Sequence, residues 1–444
     1  NSRGDLMFKT LVNAFKIKDV RHRILYVLLM LCVIRLGSQM PVPGVNTEYF
    51  SAYFANSTND AFSFLNAFTG GGFDQFSIFA LSITPYITSS IIIQLLTIAI
   101  PKLEEMQRDG EEGRKKMTAI TRYVTVALAL FESVALAVGF GRQGLLKEFN
   151  AVNVIVAVAV LTAGSAFLMW VGEQINDKGV GNGISMVLLI NILSRIPQDM
   201  ITLYETFVQG KTLARAALIW VIIIAVIVAV VVLVLILNGA ERRIPVQYSK
   251  KMAGRKMIGG QSSHIPLKVN TAGVIPIIFA SSIMSFPSMI LTFMGKSDIG
   301  GWGGRILAML SSNNWFDPDQ PLSSVGLILY IVMVIFFAYF YTSITFNPLE
   351  VADNMRKQGG FIPGIRPGKS TVDYLTSILN YIIFIGGAGL TIVAVIPFFF
   401  NGFFNANVSF GGTSLIIIAS VILETLKQIE SMMLVRNYKG FLND

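Results

Sequence analysis

The chain has 444 residues, of which 53% are hydrophobic and 14% are charged, and its formal net charge is +9. Soluble domains carry about 25% charged residues, so this composition excludes an ordinary soluble enzyme or binding domain. Cys32 is the single cysteine of the sequence, which excludes an intrachain disulfide.

Ten apolar blocks follow one another along the chain, each near the roughly 20 residues that a bilayer-spanning helix needs. Residues 1–6 read as an added remnant ahead of a start at Met7, and residues 7–23 as a basic N-terminal segment. The sequence therefore predicts an all-α polytopic membrane protein with about ten transmembrane helices. The predicted spans are Ile24–Met40, Phe76–Ile100, Ile120–Phe140, Val152–Val171, Ile184–Leu203, Ala216–Leu237, Thr271–Met294, Val325–Ile344, Leu375–Phe398 and Thr413–Leu434.

Basic residues alternate between successive connections. The connections Pro41–Gln75 and Asn401–Gly412 contain no Lys or Arg, whereas 238–269 and 345–373 are rich in both. Cytoplasmic loops of membrane proteins carry an excess of Lys and Arg. The pattern predicts that both termini, including a C-terminal tail at 435–444, lie in the cytoplasm.

The span count suggests two halves of five spans each. We expect a first half at 24–205, a short external connection at 206–215, and a second half at 216–434. Because five is odd, two halves that arose from one unit must have opposite orientations, which is an inverted repeat. No strong internal sequence match accompanies the count. Binding sites in such folds lie near the midplane, between the halves.

Two further segments are neither spans nor ordinary loops. Residues 61–75, "AFSFLNAFTGGGFDQ", contain an apolar stretch followed by three glycines. A short helix, Phe62–Phe68, on a hinge of Gly70–Gly72 would permit this segment to fold back into the membrane, but an interfacial helix fits the pattern equally well. Residues 295–324, with Trp302 and Trp315, are predicted to rest at the outer interface.

The motifs that suggest catalysis are weak. "GIRPGKS", at 364–370, resembles a phosphate-binding loop but has Pro363 in place of its first glycine. The Cys and His residues have no metal-ligand spacing, and both histidines lie in polar loops where a serine nucleophile is not expected. The sequence therefore predicts no catalytic residue, cofactor, metal or bound nucleotide.

Four spans repeat one arrangement, in which branched aliphatic residues lie at mid-depth and polar residues toward one end of the same helix face. Polar groups are costly in lipid, so we expect these faces to line water. The implied shape is two wet funnels that meet at a dry aliphatic collar in a central hourglass pore. Pro85 has two possible roles, a bend in the second span between Ile83 and Ile87 or only a shaping of its packing. Ordinary helix packing is the alternative for each span taken alone. The aliphatic residues are Ile83, Ile87, Ile184, Leu188, Ile278 and Ile417, and the polar ones include Ser90, Gln94 and Asn191.

Several long motifs resemble the SecY family, the central channel subunit of the bacterial Sec protein translocon. The resemblance covers essentially the whole chain from Met7. The matching motifs are "RLGSQMPVPGV" from Arg35, "FSIFALSITPYITSSIIIQLL" from Phe76, "GVGNGIS" from Gly179, "HIPLKVNTAGVIPIIFASS" from His264, "FNPLEVADNMRKQGGFIPGIRPGKST" from Phe346 and "GGTSLII" from Gly411.

The resemblance assigns roles to particular residues. It implies that the six aliphatic residues above form a pore ring, in which Leu188 stands where isoleucine is usual. It implies a lateral gate between spans two and three on one side and seven and eight on the other. It implies a plug at 62–73, formed by Phe62, Leu65, Phe68, Gly70, Gly71 and Gly72. It also implies docking of cytoplasmic partners on Arg242, Arg243, Lys250, Arg255, Arg356, Lys357 and Arg366.

The expected function is a channel that translocates unfolded secretory preproteins across the plasma membrane and releases transmembrane segments sideways into lipid. The partners implied by the resemblance are the SecE and SecG subunits, the SecA ATPase motor, the ribosome and preproteins with signal peptides. Two other classes remain open on the residues alone. One is a secondary transporter of small solutes, and the other is a membrane scaffold that transports nothing.

Overall fold

The protein is mostly helical. A computed structural model describes residues 15–49, 69–209, 213–248, 251–253, 256–258, 262–293, 302–310, 315, 324–404 and 412–440. The helices are α1 (Lys18–Ser38), α2 (Thr84–Ala99), α3 (Pro101–Arg108), α4 (Gly110–Phe140), α5 (Ala151–Lys178), α6 (Gly183–Phe207), α7 (Leu213–Gly239), α8 (Ile275–Phe293), α9 (Trp302–Leu310), α10 (Ser324–Thr345), α11 (Pro348–Lys357), α12 (Lys369–Phe404) and α13 (Gly412–Gly440). The strands are β1 (Glu241–Tyr248), β2 (Lys251–Ala253), β3 (Lys256–Ile258), β4 (Ser262–Lys268) and β5 (Gly360–Phe361).

Each of the ten predicted apolar blocks coincides with a helix, namely α1, α2, α4, α5, α6, α7, α8, α10, α12 and α13. In the described part of the chain, six helices are long and apolar enough to cross a membrane. The number rises to seven if α2 and α3, which meet at a bend of 109°, count as one span. The protein is therefore a multi-pass membrane protein.

The second predicted span begins later than its hydropathy indicates. Residues 70–83 form consecutive turns, and the helix starts at Thr84. Pro85 lies in the first helical turn, where the missing N–H costs no hydrogen bond and the fixed φ suits a helix start. Of the two possible roles of Pro85, the bend is therefore wrong, and the sharp change of direction lies at the other end of α2, before Pro101.

The packing order of the first five spans recurs in the last five. In the first half, α2 packs on α4, α4 on α5, α5 on α6, and α1 on both α5 and α6. In the second half, α8 packs on α10, α10 on α12, α12 on α13, and α7 on both α12 and α13. Counted span by span, the pairs are the same, which supports the predicted repeat. Contacts between the halves join α13 to α6 and α1, and α8 to α4.

The repeat extends to the local backbone where α2 and α8 begin. Ser82 and Gly273 both have left-handed backbone angles, with φ of +51° and +62°. An aliphatic residue, Ile83 or Val274, then accepts a backbone hydrogen bond from the isoleucine four positions later, at 3.1 and 3.2 Å. A proline occupies the second helical position in both helices. The shared pattern of six residues, "SITPYI" and "GVIPII", was too short to recognise as an internal match.

The two long basic connections, which are predicted to be cytoplasmic, form one small folded unit that the sequence did not predict; we call it the cytoplasmic unit. Strands β1 and β4 pair antiparallel along seven residues, and β5 pairs with the far end of β1. The connection at 238–269 is thereby joined to the one at 345–373. Their shared apolar core contains Ile244, Val246, Leu267, Ala352, Met355, Ile362, Leu375 and Ile382.

The two tryptophans of the segment after α8 have different surroundings. Trp302 is exposed, as expected for an interfacial residue. Trp315 is buried, packs against Phe398 with ring centroids 4.8 Å apart, and donates its indole N–H to the carbonyl of Met309 at 2.9 Å. The predicted position of residues 295–324 at the outer interface stays a prediction, and within this segment the indole of Trp315 has both apolar neighbours and an acceptor inside the second half.

Candidate pore constriction

The six predicted ring residues belong to one apolar cluster, although four separate segments supply them. Ile83, Leu188, Ile278 and Ile417 are all less than 10% exposed, and Ile87 and Ile184 pack against them while remaining partly buried. Ile83 and Ile87 come from α2 and the residue before it, and the others from α6, α8 and α13. The cluster therefore contains side chains from both halves of the chain.

Turn geometry positions Ile83. This residue directly precedes α2, and its carbonyl accepts the N–H groups of both Tyr86 and Ile87 at 3.1 Å. Ser82, immediately before it, has a left-handed backbone, which is disfavoured for residues with a Cβ. Two neighbouring helices hold Ser82. Ser165 of α5 donates its hydroxyl to the Ser82 carbonyl, and Asn191 of α6 donates its side-chain amide to the Ser82 hydroxyl, both at 3.2 Å.

The polar residues predicted to line the pore fall into two environments. Ser90 and Gln94, further along α2, are partly buried, and their contact with water remains a prediction. Asn191 is only 2% exposed and is hydrogen-bonded to Ser82. In this conformation Asn191 differs from the expected water-facing side chain, because a hydroxyl from the turn before α2 occupies its donor.

The glycine hinge is partly described. Phe62, Leu65 and Phe68 lie outside the described residues, so the predicted plug helix remains a prediction. Gly70 has φ of +65°, and its carbonyl accepts a hydrogen bond from Arg35 at 3.3 Å. The hydroxyl of Ser194 lies at the same distance from that carbonyl. The hinge therefore touches α1 and α6 on the side of the cluster where Asn191 lies.

Most of the predicted docking residues that are described project from the cytoplasmic unit. Arg242, Arg356, Lys357 and Arg366 are exposed, while Lys250 and Arg255 lie outside the described residues. Arg243 instead donates two hydrogen bonds to the carboxylate of Glu241, at 2.6 and 2.8 Å. This pairing lowers the pKa of Glu241 below its ordinary value. It also leaves Arg243 less available to a partner than its exposed neighbours.

The predicted lateral gate corresponds to a contact between the halves. Helix α4 of the first half packs on α8 of the second. The halves are also joined where the side chain of Gln428 in α13 accepts the backbone N–H of Gly181, just before α6, at 2.6 Å. Of these two contacts between the halves, the one between α4 and α8 is at the predicted gate.

Sequence reasoning did not select Ser82, Ser165 or Ser194 for the site. A serine inside an apolar span usually returns its hydrogen bond to its own helix, as Ser89 does to the carbonyl of Pro85 at 2.7 Å. No sequence pattern distinguishes such a serine from one that reaches another helix. Arg35 was not assigned to the site either, although it donates to the carbonyl of Gly70.

Comparison with known proteins identifies the family. The SecY family profile matches residues 77–426. The protein translocase subunit SecY of Bacillus subtilis is 43% identical over 450 residues, which cover 99% of this chain and all of that protein. The protein of the same name from Halalkalibacterium halodurans is 43% identical over 98% of this chain and all of its own length.

Solved structures agree with this assignment at the level of the fold. A structure described as "The structure of a protein conducting channel" superposes with a TM-score of 0.66 at 18% identity, covering 93% of this chain and 92% of that one. A SecY structure that describes a plug domain as stabilising the closed channel has a TM-score of 0.65 at 18% identity, with the same coverage. Sec61 in the canine ribosome–channel complex has a TM-score of 0.63 at 18% identity, again covering 93% and 92% of the two chains. The chain belongs to the SecY family of protein translocase subunits, and it is a protein-conducting channel and not an enzyme.

Proposed function

We propose that the six-residue ring is the constriction through which an unfolded preprotein passes. The observation that carries this proposal is the single buried cluster that contains Ile83, Leu188, Ile278 and Ile417, with Ile87 and Ile184 packed against it. These side chains come from both halves, so a relative movement of the halves changes the width of the ring.

The chemistry of the ring suits a large and variable substrate. Branched aliphatic side chains make no specific hydrogen bonds, so they contact any passing side chain without selecting it. When the ring is empty, they exclude water and ions by dewetting. A secondary transporter of small solutes would instead place polar ligands at its narrowest point, and none of the six ring residues offers one.

The hinge and the gate complete the proposed channel. Residues 62–73 form a plug that adds a second seal, with Gly70–Gly72 as its hinge. This role is supported by the contacts of Gly70 with α1 and α6 and by the plug domain described for the similar SecY structure. Separation of α4 from α8 opens the lateral gate, through which apolar segments reach lipid.

The cytoplasmic unit is the proposed docking surface. It presents Arg242, Arg356, Lys357 and Arg366 to an acidic partner such as the SecA motor or the ribosome. The ribosome-bound Sec61 structure supports the second of these. The protein assembles with SecE and SecG in the bacterial plasma membrane with both termini in the cytoplasm, an orientation supported by the basic connections.

Reconstitution of the purified protein with SecE and SecG in liposomes tests this function. We expect a signal-bearing preprotein to enter the vesicles only when the SecA motor and ATP are added. Uptake of a small solute along an ion gradient, without preprotein transport, would support a transporter and contradict the channel. Vesicles that transport neither would support the scaffold.

The docking surface has a separate test in the same vesicles. Arg366→Glu reverses one exposed charge on the cytoplasmic unit and should reduce motor-driven transport about tenfold, because a like charge then faces an acidic partner. Lys115→Glu is the matched control, since Lys115 is exposed on a different cytoplasmic helix and pairs with Glu111 at 3.6 Å. Equal transport by the two variants would remove Arg366 from the docking surface.

A further inference from the structure

A series of polar contacts, buried at the ring end and partly buried at the hinge end, joins the turn before the ring to the glycine hinge. The side-chain amide of Asn191 donates to the hydroxyl of Ser82 at 3.2 Å. The backbone carbonyl of Asn191 lies 2.6 Å from the hydroxyl of Ser194. That hydroxyl also lies 3.3 Å from the carbonyl of Gly70, which accepts a hydrogen bond from Arg35. The contacts therefore run from α2 through α6 to the hinge and on to α1.

The series adjoins residues of the proposed ring at two points. Ser82 directly precedes Ile83, and Leu188 lies three positions before Asn191 on α6. Ser82 and Asn191 are 1% and 2% exposed. Because water does not reach these groups, separating them would leave polar atoms buried without partners, which is more costly than losing a contact at the surface.

The hinge fits closely against the same helix. A Cβ built on Gly70 would lie 2.6 Å from the hydroxyl of Ser194, 2.7 Å from the carbonyl oxygen of Asn191 and 2.8 Å from the guanidinium of Arg35. A side chain at Gly70 would therefore push the hinge away from α6. Only glycine lets the backbone carbonyl reach its donors.

The equivalent turn of the second half shows that the serine is not needed for the backbone. Gly273 occupies the position of Ser82 and has a similar φ, and a Cβ at Gly273 would meet no described residue within 4 Å. Glycine adopts a left-handed backbone without strain. Ser82 is therefore a strained residue whose hydroxyl contributes a contact with α6 that a glycine cannot make.

We propose that Asn191, Ser194 and Arg35 are positioning residues that hold the ring and the glycine hinge together as one closing unit. While Gly70 is seated against α6, Asn191 remains oriented toward Ser82, and the turn keeps Ile83 in the ring. Release of the hinge then loosens the ring, and widening of the ring loosens the hinge. This inference rests on the proposed function, because it concerns how the constriction and its hinge open.

The test breaks the series of contacts at each end in turn. For each variant, one measurement reports the ring and a second reports the hinge. Ser82→Gly removes the hydroxyl at the ring end while relieving backbone strain, so the variant should fold. Arg35→Met removes the donor at the hinge end at similar length. In a background in which Cys32 is replaced by Ser, resting ion conductance in planar bilayers reports the ring. The rate at which a maleimide modifies a cysteine replacing the exposed Gln75 reports the hinge.

Ser82→Gly and Arg35→Met should each raise both the resting conductance and the modification rate by about fivefold, which is the effect of losing one hydrogen bond. The variant with both substitutions should show little increase beyond either single variant, since both changes break the same unit. Arg35→Lys, which keeps a donor, should restore both values, and Ser89→Ala, which removes a buried hydroxyl bonded within α2, should change neither.

A result in which Arg35→Met affects only the modification rate, and Ser82→Gly only the conductance, would overturn the coupling. Additive effects in the double variant would also contradict it. Preprotein transport by the unaltered channel is measured in parallel. Loss of coupling with normal transport rejects only this inference, whereas absence of transport in the unaltered channel rejects the proposed function.

Discussion

The turns that lead into α2 and α8 have the same backbone but different support. Each places a left-handed residue before an aliphatic residue, a proline at the second helical position and an isoleucine of the ring two positions later. In the first half the left-handed residue is Ser82, bonded to α5 and α6. In the second half it is Gly273, where a Cβ would meet none of the described residues within 4 Å. The fold thus repeats the geometry that presents Ile87 and Ile278, but only the first turn has a side chain that bonds to its neighbours.

In the second half, polar side chains make contacts between segments three residues before the turn, at Asn270. Asn270 donates its amide to the side chain of Asn238 at 2.7 Å, and Asn238 donates to the hydroxyl of Ser420 at 2.9 Å. This series joins the segment that follows β4 to α7 and α13, and it does not involve Gly273. The turn itself is therefore hydrogen-bonded to neighbouring helices in the first half, whereas in the second half the corresponding bonds form at Asn270, three residues before Gly273.

The largest expected effect comes from removing the ring side chains that the two turns present. Replacing Ile87 and Ile278 with glycine should raise the resting ion conductance about tenfold or more, since both lost side chains exclude water from the constriction. If the repeat is functional, the two single variants should have similar effects. Planar-bilayer recordings of the purified channel measure this.

The matched control for the ring is Ile422→Gly on α13, where the isoleucine is 44% exposed. This change also puts a glycine into a helix, so it controls for helix destabilisation. Conductance that rises equally in the control would mean that the ring is not the seal. Conductance that rises for only one of the two ring variants would mean that the halves contribute unequally.

A smaller effect is expected from placing a Cβ on the left-handed residue of the second turn. Gly273→Ala should lower the free energy of unfolding by about 1 kcal/mol, because an L-residue is disfavoured at that φ. Thermal unfolding in detergent gives the measurement. Gly239→Ala, at the helical end of α7 where a Cβ also meets open space among the described residues, should leave stability unchanged or slightly raised. Equal losses in the two variants would contradict the backbone argument.

The smallest effect is expected at the two prolines. Pro85→Ala and Pro276→Ala should each lower stability by about 0.5 kcal/mol, since proline in a compatible first turn acts mainly by restricting the unfolded chain. The same unfolding assay compares them. A clear gain in stability at either position would show that the proline strains its helix, and would revive the bend as a role of Pro85.

Sequence reasoning located the spans because they depend on simple hydropathy, while the ring was implied by the resemblance and its role stays a prediction. Each apolar block coincides with a helix, and the spacing of Ile83 and Ile87 or of Ile184 and Leu188 puts each pair on one face whether or not the first residue is inside the helix. The ring residues were then brought into one cluster by the packing of four segments, as the resemblance implied.

The remaining features depend on contacts that a span-length average of hydropathy does not detect. The turns at 76–83 are as apolar as the helix that follows, so the start of α2 was placed too early. The pairing of β1 with β4 and β5 joins segments that are distant in sequence and interrupted by Pro245 and Pro266. The burial of Trp315 depends on an acceptor, the carbonyl of Met309, that hydropathy does not reveal.

Crosslinking of a stalled substrate tests the central claim most directly. In the background with Cys32 replaced by Ser, single cysteines are placed at Ile87, Ile278 and, as an exposed control outside the ring, Ile422. A preprotein with one cysteine in its mature part is stalled by a folded C-terminal domain. We predict disulfide adducts at Ile87 and Ile278 and none at Ile422. A stalled preprotein that forms no adduct at either ring position would contradict the account.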